Sequence, residues 1–311
     1  MVKLKRRHLI ISCSLIGVTG ACLLAFALAA GKNARLDPEI GVVSAPAVAF
    51  RDTTAGGGGA VRFGEATGSP AASPTNTPST SPPPGGSAHV PADVLNLTNW
   101  YITLPIAGSS ATSPKTVNQP ELATYTIDPW FHLSADKTGV VFHVNHGGIS
   151  TSNSANPRSE LREMTNNGAS MASWSSTSGT STMEIKQKVT HLTTVKPQVV
   201  VGQIHDANDD VSVFRLEGSS LYITDGNTTH AHLVTDSYTL GTVFTVKFEV
   251  SGGVIKYYYN GQLLPYTQSK SFSGAYFKAG NYLQSNPSTA PSESTSAFSE
   301  VEVYSVTVTH S

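Results

Sequence analysis

Alternation of apolar and polar residues dominates the chain from about residue 89 onward. In "NWYITLP", Trp100, Ile102 and Leu104 alternate with Tyr101 and Thr103. "TVFTVKFEV" and "VIKYYYNG" alternate in the same way, and "SGG" between them predicts a hairpin turn. "VSVFRLEG", "SSLYITDG" and the terminal "SEVEVYSVTVTH" add further short runs of period two. No segment keeps an apolar stripe at helical spacing over a useful length. Many short strands separated by turn residues predict an all-β domain, a sandwich or jelly roll.

Three of these runs carry unusual polar faces. In "RSELRE", Arg158, Glu160 and Arg162 share one face and oppose Leu161. In "VVVGQIHD", strict alternation places Val199, Val201, Gln203 and His205 in one phase, with Val200, Gly202 and Ile204 in the other. In "AYFKAGNYLQ", Tyr276, Lys278, Gly280, Tyr282 and Gln284 share a face, while Phe277, Ala279 and Leu283 take the other with Asn281 as the exception. A merely solvated sheet face is richer in Thr, Ser and Lys. Arginines, an imidazole, a phenol and amides gathered on three strands predict a site.

The N-terminal third is built differently. "KLKRRH" followed by the apolar "LIISCSLIGVTGACLLAFALAA" predicts an export signal over residues 1–30, ending in small residues suited to cleavage. The run approaches the ~20 residues that span a bilayer, so a retained signal-anchor is the alternative. Either reading places the remainder outside the cytoplasm, secreted or held at the cell surface. Residues 31–88 are rich in Gly, Pro, Ser and Thr, as in "GSPAASPTNTPSTSPPPGGS", and predict a disordered linker with no folded module of its own. Residues 89–311 are then the single folded domain. Both cysteines, Cys13 and Cys22, lie in the apolar segment, so neither a disulfide nor a thiolate metal site can support that domain. Its core must suffice, and roughly 220 residues bury enough to manage it.

Charge narrows the function. The whole chain has a formal net charge of -1, which gives no reason to expect nucleic acid as a partner. From His89 onward there are 12 Lys and Arg against 17 Asp and Glu. The cations clustered in the three polar faces therefore stand out against an acidic background. "DANDDVSVFRLE" has acidic residues at EF-hand offsets, but Val211 occupies the position that demands Gly, and no metal or other cofactor is expected. His143 and His146, ahead of a Gly-Gly pair, read as rim or turn residues.

"RSELRE", "QIH" and "YFKAGNYLQ", in that order, resemble the three signature segments of the alginate lyases of polysaccharide lyase family 7. "PADVLNLTNWYITLP" and "IHDANDDVSVFRLEGSSLYIT" look similar as well, so the resemblance extends over nearly all of 89–311. Asn156, ahead of Pro157, is a departure, since many relatives carry an aromatic there. The resemblance implies a β-jelly roll whose concave sheet holds an extended polyuronate, alginate, acted on by a monomeric enzyme that needs no cofactor.

β-Elimination at a 4-linked uronate has three requirements. The C6 carboxylate must be held and its charge offset, a base must reach the C5 proton, and an acid must protonate the departing O4. Arg158 and Gln203 suit the carboxylate. His205, with an ordinary pKa of about 6.5, suits the base, and Tyr282, with a phenol ordinarily near 10, suits the acid. By the resemblance, His205 is the base for guluronate, and Tyr282 serves as both base and acid for mannuronate. Arg162, Lys278, Tyr276 and Gln284 are expected to bind neighbouring sugar units, with Glu160 among them orienting the two arginines. The resemblance also implies guluronate preference, because members with Ile at the place of Ile204 tend to favour it. Two other classes fit an all-β carbohydrate protein: a glycoside hydrolase and a non-catalytic binding module. The first needs a pair of carboxylic acids across the bond, which these strands do not offer; the second has no need of His205 together with Tyr282.

Overall fold

The computed structural model describes residues 47–51, 59–63 and 88–311. The expected export signal lies outside the described residues. By contact the chain divides into two compact units, Met1–Ser79 and Thr80–Ser311. In the first, β1 (Ala47–Arg51) and β2 (Gly59–Phe63) pair antiparallel, Ala47 opposite Phe63. These two strands fall within the stretch expected to be linker; its other residues before Ala88 lie outside the described ones.

The second unit carries the remaining strands. In chain order these are β3 (Trp100–Ala107), β4 (Pro114–Val117), β5 (Phe131–Leu133), β6 (Val140–Asn145), β7 (Arg158–Thr165) and β8 (Ser170–Met171). Then come β9 (Thr180–His191), β10 (Gln198–His205), β11 (Asp210–Glu217), β12 (Ser220–Asp225), β13 (Thr228–Thr235) and β14 (Phe244–Ser251). The last four are β15 (Val254–Tyr259), β16 (Gln262–Ser269), β17 (Tyr276–Leu283) and β18 (Phe298–His310). The only helices among the described residues are two short 3-10 turns, Pro91–Asp93 and Glu121–Thr124. A nine-stranded sheet runs β13-β12-β11-β10-β17-β7-β3-β4 with β8 added beside β7, and a seven-stranded sheet runs β16-β15-β14-β9-β18-β6-β5. Every pairing is antiparallel, as expected of a jelly-roll sandwich. The expected hairpin is present: Ser251 faces Val254 across Gly252 and Gly253, both at positive φ.

The core lies between the sheets and follows the alternating apolar positions. Ile102, Leu104, Leu161, Phe277 and Ala279 from the larger sheet meet Phe142, Met183, Ile185, Phe248 and Val301 from the smaller. Asn281, the polar exception on the apolar face of β17, is fully buried. Its amide donates to the carbonyls of Phe142 and Ser299, and its oxygen accepts from the Ser299 hydroxyl, all within 2.9 Å. A buried amide satisfied on both ends fixes the nine-stranded sheet to the seven-stranded one at one register. His143 and His146 are both buried rather than on a rim, although His146 does lie in a turn, the one that follows β6. His143 belongs to β6 and stacks on Phe298 at 4.4 Å, and His146 meets the Ser285 hydroxyl at 2.9 Å.

β10 departs from strict alternation. Its pairing with β11 skips from Val200 to Gly202, so Val201 is an inserted residue, a β-bulge. Val199, Val201 and Ile204 all reach the core, while Gln203 and His205 leave by the other face. The expectation that Val199 and Val201 share a face with Gln203 and His205 is thus corrected. Two residues accommodate the bulge. Gly202 has no side chain to strike the Ile185 methyl, which a Cβ would approach to 2.9 Å. Gln187, a fully buried amide in the apolar phase of β9, donates to the Val201 carbonyl at 3.1 Å.

Gly280 is a second constrained position in the site strands. Its φ is +127°, and a Cβ there would lie 2.7 Å from the Ser159 carbonyl oxygen and 2.8 Å from the Phe142 ring. Neither neighbour can move without disturbing a ladder or the core. Gly280→Ala is therefore expected to destabilise the domain by about 3 kcal/mol, combining overpacking with an unfavourable φ. For a domain of this size that lowers Tm by roughly 6–12 °C. A thermal melt within 2 °C or so of the native protein would refute the steric reading.

Candidate active site

The exposed face of the nine-stranded sheet gathers the polar residues of β10, β17, β7 and β3 into rows. His205 lies opposite Tyr276, and Gln203 opposite Lys278. Lys278 in turn faces Arg162, Gly280 faces Glu160, and Tyr282 faces Arg158. Arg162 faces Tyr101, and Glu160 faces Thr103. The residues singled out in three distant sequence segments become neighbours because β17 sits between β10 and β7.

Glu160 is the centre of the arrangement. Its side chain is 2% exposed. One oxygen accepts from Arg158 Nη1 at 3.1 Å and from Lys278 Nζ at 2.8 Å, and the other accepts from the Gln203 amide. Burial alone would push this carboxyl up, but Lys278 and Arg158 outweigh it and hold the group ionised, below its ordinary value. Glu160 therefore orients Arg158, Lys278 and Gln203 rather than both arginines. Arg162, one residue pair further along, instead lies over the Tyr276 ring at 3.7 Å and near Tyr101 at 5.7 Å. Lys278 is almost fully buried, and desolvation lowers it to about 8 despite Glu160.

His205 ends β10 and stacks on Tyr276, with ring centroids 5.0 Å apart and planes at 16°. Its Nδ1 lies 2.8 Å from the Asp206 carbonyl. A carbonyl only accepts, so Nδ1 carries the hydrogen and the neutral ring leaves its lone pair on Nε2. Burial, aided by the Lys278 charge, lowers the imidazole below its ordinary value against the opposing pull of the Asp206 carbonyl. The ring is thus neutral at pH 7 and suited to accept a proton.

Tyr282 lies under Arg158, whose guanidinium carbon is 3.8 Å from the ring centroid. Its hydroxyl meets Ser154 Oγ at 2.8 Å. Gln284 stands apart from this cluster: its oxygen accepts from Arg215 Nη1 at 3.2 Å, further along the same face. Arg215 also donates to Gln198 at 2.7 Å and to Glu217 at 2.5 Å. Glu217 meets His230 at 3.0 Å, so the polar face continues across β11 to β13. The Asn156 side chain turns away from this cluster and accepts from Asn286 Nδ2 at 2.5 Å.

Sequence reasoning missed Tyr101, Arg215 and Ser154. Tyr101 was legible as the polar phase of β3, and Arg215 as that of β11. Ser154 lies in a loop, where period gives no orientation. Among the described residues, no group of three or more His, Cys, Asp or Glu is placed to hold a metal ion. None of their helices is long and apolar enough to cross a membrane.

The arrangement can hold a carboxylate, withdraw a proton and return one. The profile of a protein family described as alginate lyase matches residues 95–310. Among solved structures, the chain is similar to the alginate lyase AlgAT5 from polysaccharide lyase family 7, at 51% identity and a TM-score of 0.67, over 72% of this chain and all of that one. It is similar to the alginate lyase from Corynebacterium sp. at 53% identity and a TM-score of 0.68, over 71% of this chain and 98% of that one. A variant of the family 7 alginate lyase A1-II′, solved in complex with product (GGG), is 26% identical with a TM-score of 0.61, over 72% of this chain and all of that one. No protein of curated function matches the chain. With a family match across most of its length and a site of the required chemistry on its polar sheet, this chain belongs to the alginate lyases of polysaccharide lyase family 7.

Proposed function

We propose that the chain is exported and cleaves alginate within the polymer, preferring guluronate, with His205 as base and Tyr282 as acid. The observation that carries the residue roles is the Glu160 cluster beside an imidazole whose Nε2 is free of hydrogen. In this reading Arg158 and the second amide hydrogen of Gln203 engage the C6 carboxylate and offset the charge that grows on it as C5 loses its proton. His205 Nε2 takes the C5 proton. The electron pair forms the C4–C5 double bond, the C4–O4 bond breaks, and O4 takes the Tyr282 proton. One half of the polymer leaves with a 4,5-unsaturated uronate end, the other with a hydroxyl. On mannuronate Tyr282 removes the C5 proton and passes it to O4. Lys278 and Arg162 carry charges suited to neighbouring carboxylates.

Internal cleavage is supported by the position of the site. It occupies central strands, and polar and aromatic residues extend past it on both sides, through Arg215 and His230 toward β13 and through Arg162 and Tyr101 toward β3. A complex of a relative with product (GGG) and the presence of Ile204 in the triplet support guluronate. Ile204 itself is buried in the core, so its influence would pass through the strand's packing.

The decisive experiment follows absorbance of the unsaturated product on polyguluronate and polymannuronate. The native enzyme is expected to cleave polyguluronate faster. Tyr282→Phe removes one hydroxyl and should lower turnover on both polymers by at least ~100-fold, while His205→Ala should damage guluronate cleavage most. Faster cleavage of polymannuronate would reverse the preference. Near-native rates in both variants would remove these residues from the mechanism.

The pH profile has a worked sign. His205 must be neutral to act, and its folded value lies below the ordinary 6.5, so the acidic limb of kcat/KM on polyguluronate should fall below pH 6.5. Lys278 loses its charge as pH rises through about 8, so KM for the polyanion should climb there. Constant KM between pH 7 and 9.5 would exclude Lys278 from polymer binding.

Export rests on the basic, apolar and small-residue order of residues 1–30. N-terminal sequencing of enzyme recovered from the medium is expected to begin near residue 31. A full-length chain found in the membrane fraction would favour the anchored alternative.

A further inference from the structure

The hydrogen bonding around the Tyr282 hydroxyl involves a residue outside the three signature segments. Ser154 lies in the loop between β6 and β7, and its Oγ is 2.8 Å from the phenol oxygen. The same Oγ accepts from the Asn156 backbone N–H at 3.1 Å and lies 3.5 Å from the Asn156 carbonyl. Asn156 is itself tied to Asn286 at 2.5 Å, just beyond the end of β17. The serine is thus held from the strand that carries Tyr282 as well as from its own loop.

A serine hydroxyl has one hydrogen and two lone pairs. One lone pair is taken by the Asn156 N–H. The second lone pair can accept from the phenol while the serine hydrogen points toward the Asn156 carbonyl. When the phenol has lost its proton, the serine hydrogen can turn to the phenolate instead. We infer that Ser154 is a positioning residue for the Tyr282 proton transfer: it aims the phenol hydroxyl in one state and donates to the phenolate in the other. The proton balance is closed. The Tyr282 proton goes to O4, the Ser154 hydrogen stays bonded to its own oxygen throughout, and no further reactant is needed. The inference rests on Tyr282 acting as the acid.

The charged groups around the phenol ring are Arg158 from β7, over its face, and Lys278 from β17, 5.9 Å from its centroid. Facing it from β10 is Val200, which does not titrate. Neither cation can follow the hydroxyl hydrogen as Ser154 can.

The test uses saturating polyguluronate, where kcat is read apart from binding. Ser154→Ala is expected to lower kcat about tenfold with KM within twofold of native. Without the serine hydrogen the phenolate is less favoured, so the alkaline limb of kcat should move to higher pH. Ser154→Thr, which keeps the hydroxyl, should recover most of both. In a Tyr282→Phe background, Ser154→Ala should cost nothing further. An inactive Tyr282→Phe beside a Ser154→Ala with native kcat and native limb would overturn the role of Ser154 alone. So would a KM increase with an unmoved limb, which a loop anchor would give. Full turnover in Tyr282→Phe would instead overturn the assignment of Tyr282 itself.

Discussion

A carboxylate buried beneath a cationic surface sets the terms for everything above it. Glu160 is almost without solvent, and its burial costs several kcal/mol unless its oxygens are filled. They are filled by a guanidinium, an ammonium and an amide drawn from β7, β17 and β10. Each donor is oriented by that obligation, and each keeps further hydrogens for another acceptor. The net charge of the cluster remains positive, since two cations share one anion. An acidic domain thereby presents a preorganised positive site to an acidic polymer, and preorganised donors need no rearrangement as charge develops.

Register delivers those donors to one place. Opposed pairs from β10 to β17, β17 to β7 and β7 to β3 put the functional side chains in a grid. Asn281 fixes the middle strand of that grid to the back sheet through Phe142 and Ser299. Gly280 lets β17 lie against Ser159 and Phe142 where any side chain would collide. The site is therefore supported from the core side by one amide and one missing side chain, at adjacent positions of β17.

Much of this is legible in the sequence. Period two separated Arg158, Glu160 and Arg162 from Leu161, and Tyr276, Lys278 and Tyr282 from Phe277 and Ala279, because a pleated strand leaves little freedom in where its side chains go. The same rule failed at Val199 and Val201, because an inserted residue changes the phase without changing the composition. Sequence alone suggests that Glu160 serves both arginines, because sequence neighbours do not reveal that β17 places Lys278 against it. Asn281 and Gln187 were visible as polar residues in apolar phases, but their partners lie on other strands. Ser154 had no such signal, since a loop's geometry is set by its ends.

The bulge at Val201 divides β10 into two halves of opposite parity. Odd-numbered residues before it face the core, and odd-numbered residues after it face the polymer. The location of Gln203 and His205 is thus decided by a count of residues as much as by their identity. Laid out as a regular strand with the same number of residues and no bulge, β10 would turn the glutamine and histidine inward and Ile204 toward solvent. The strand would still satisfy its composition and lose its function. Gln187, which never approaches the groove, guards that count by holding the carbonyl of the extra residue.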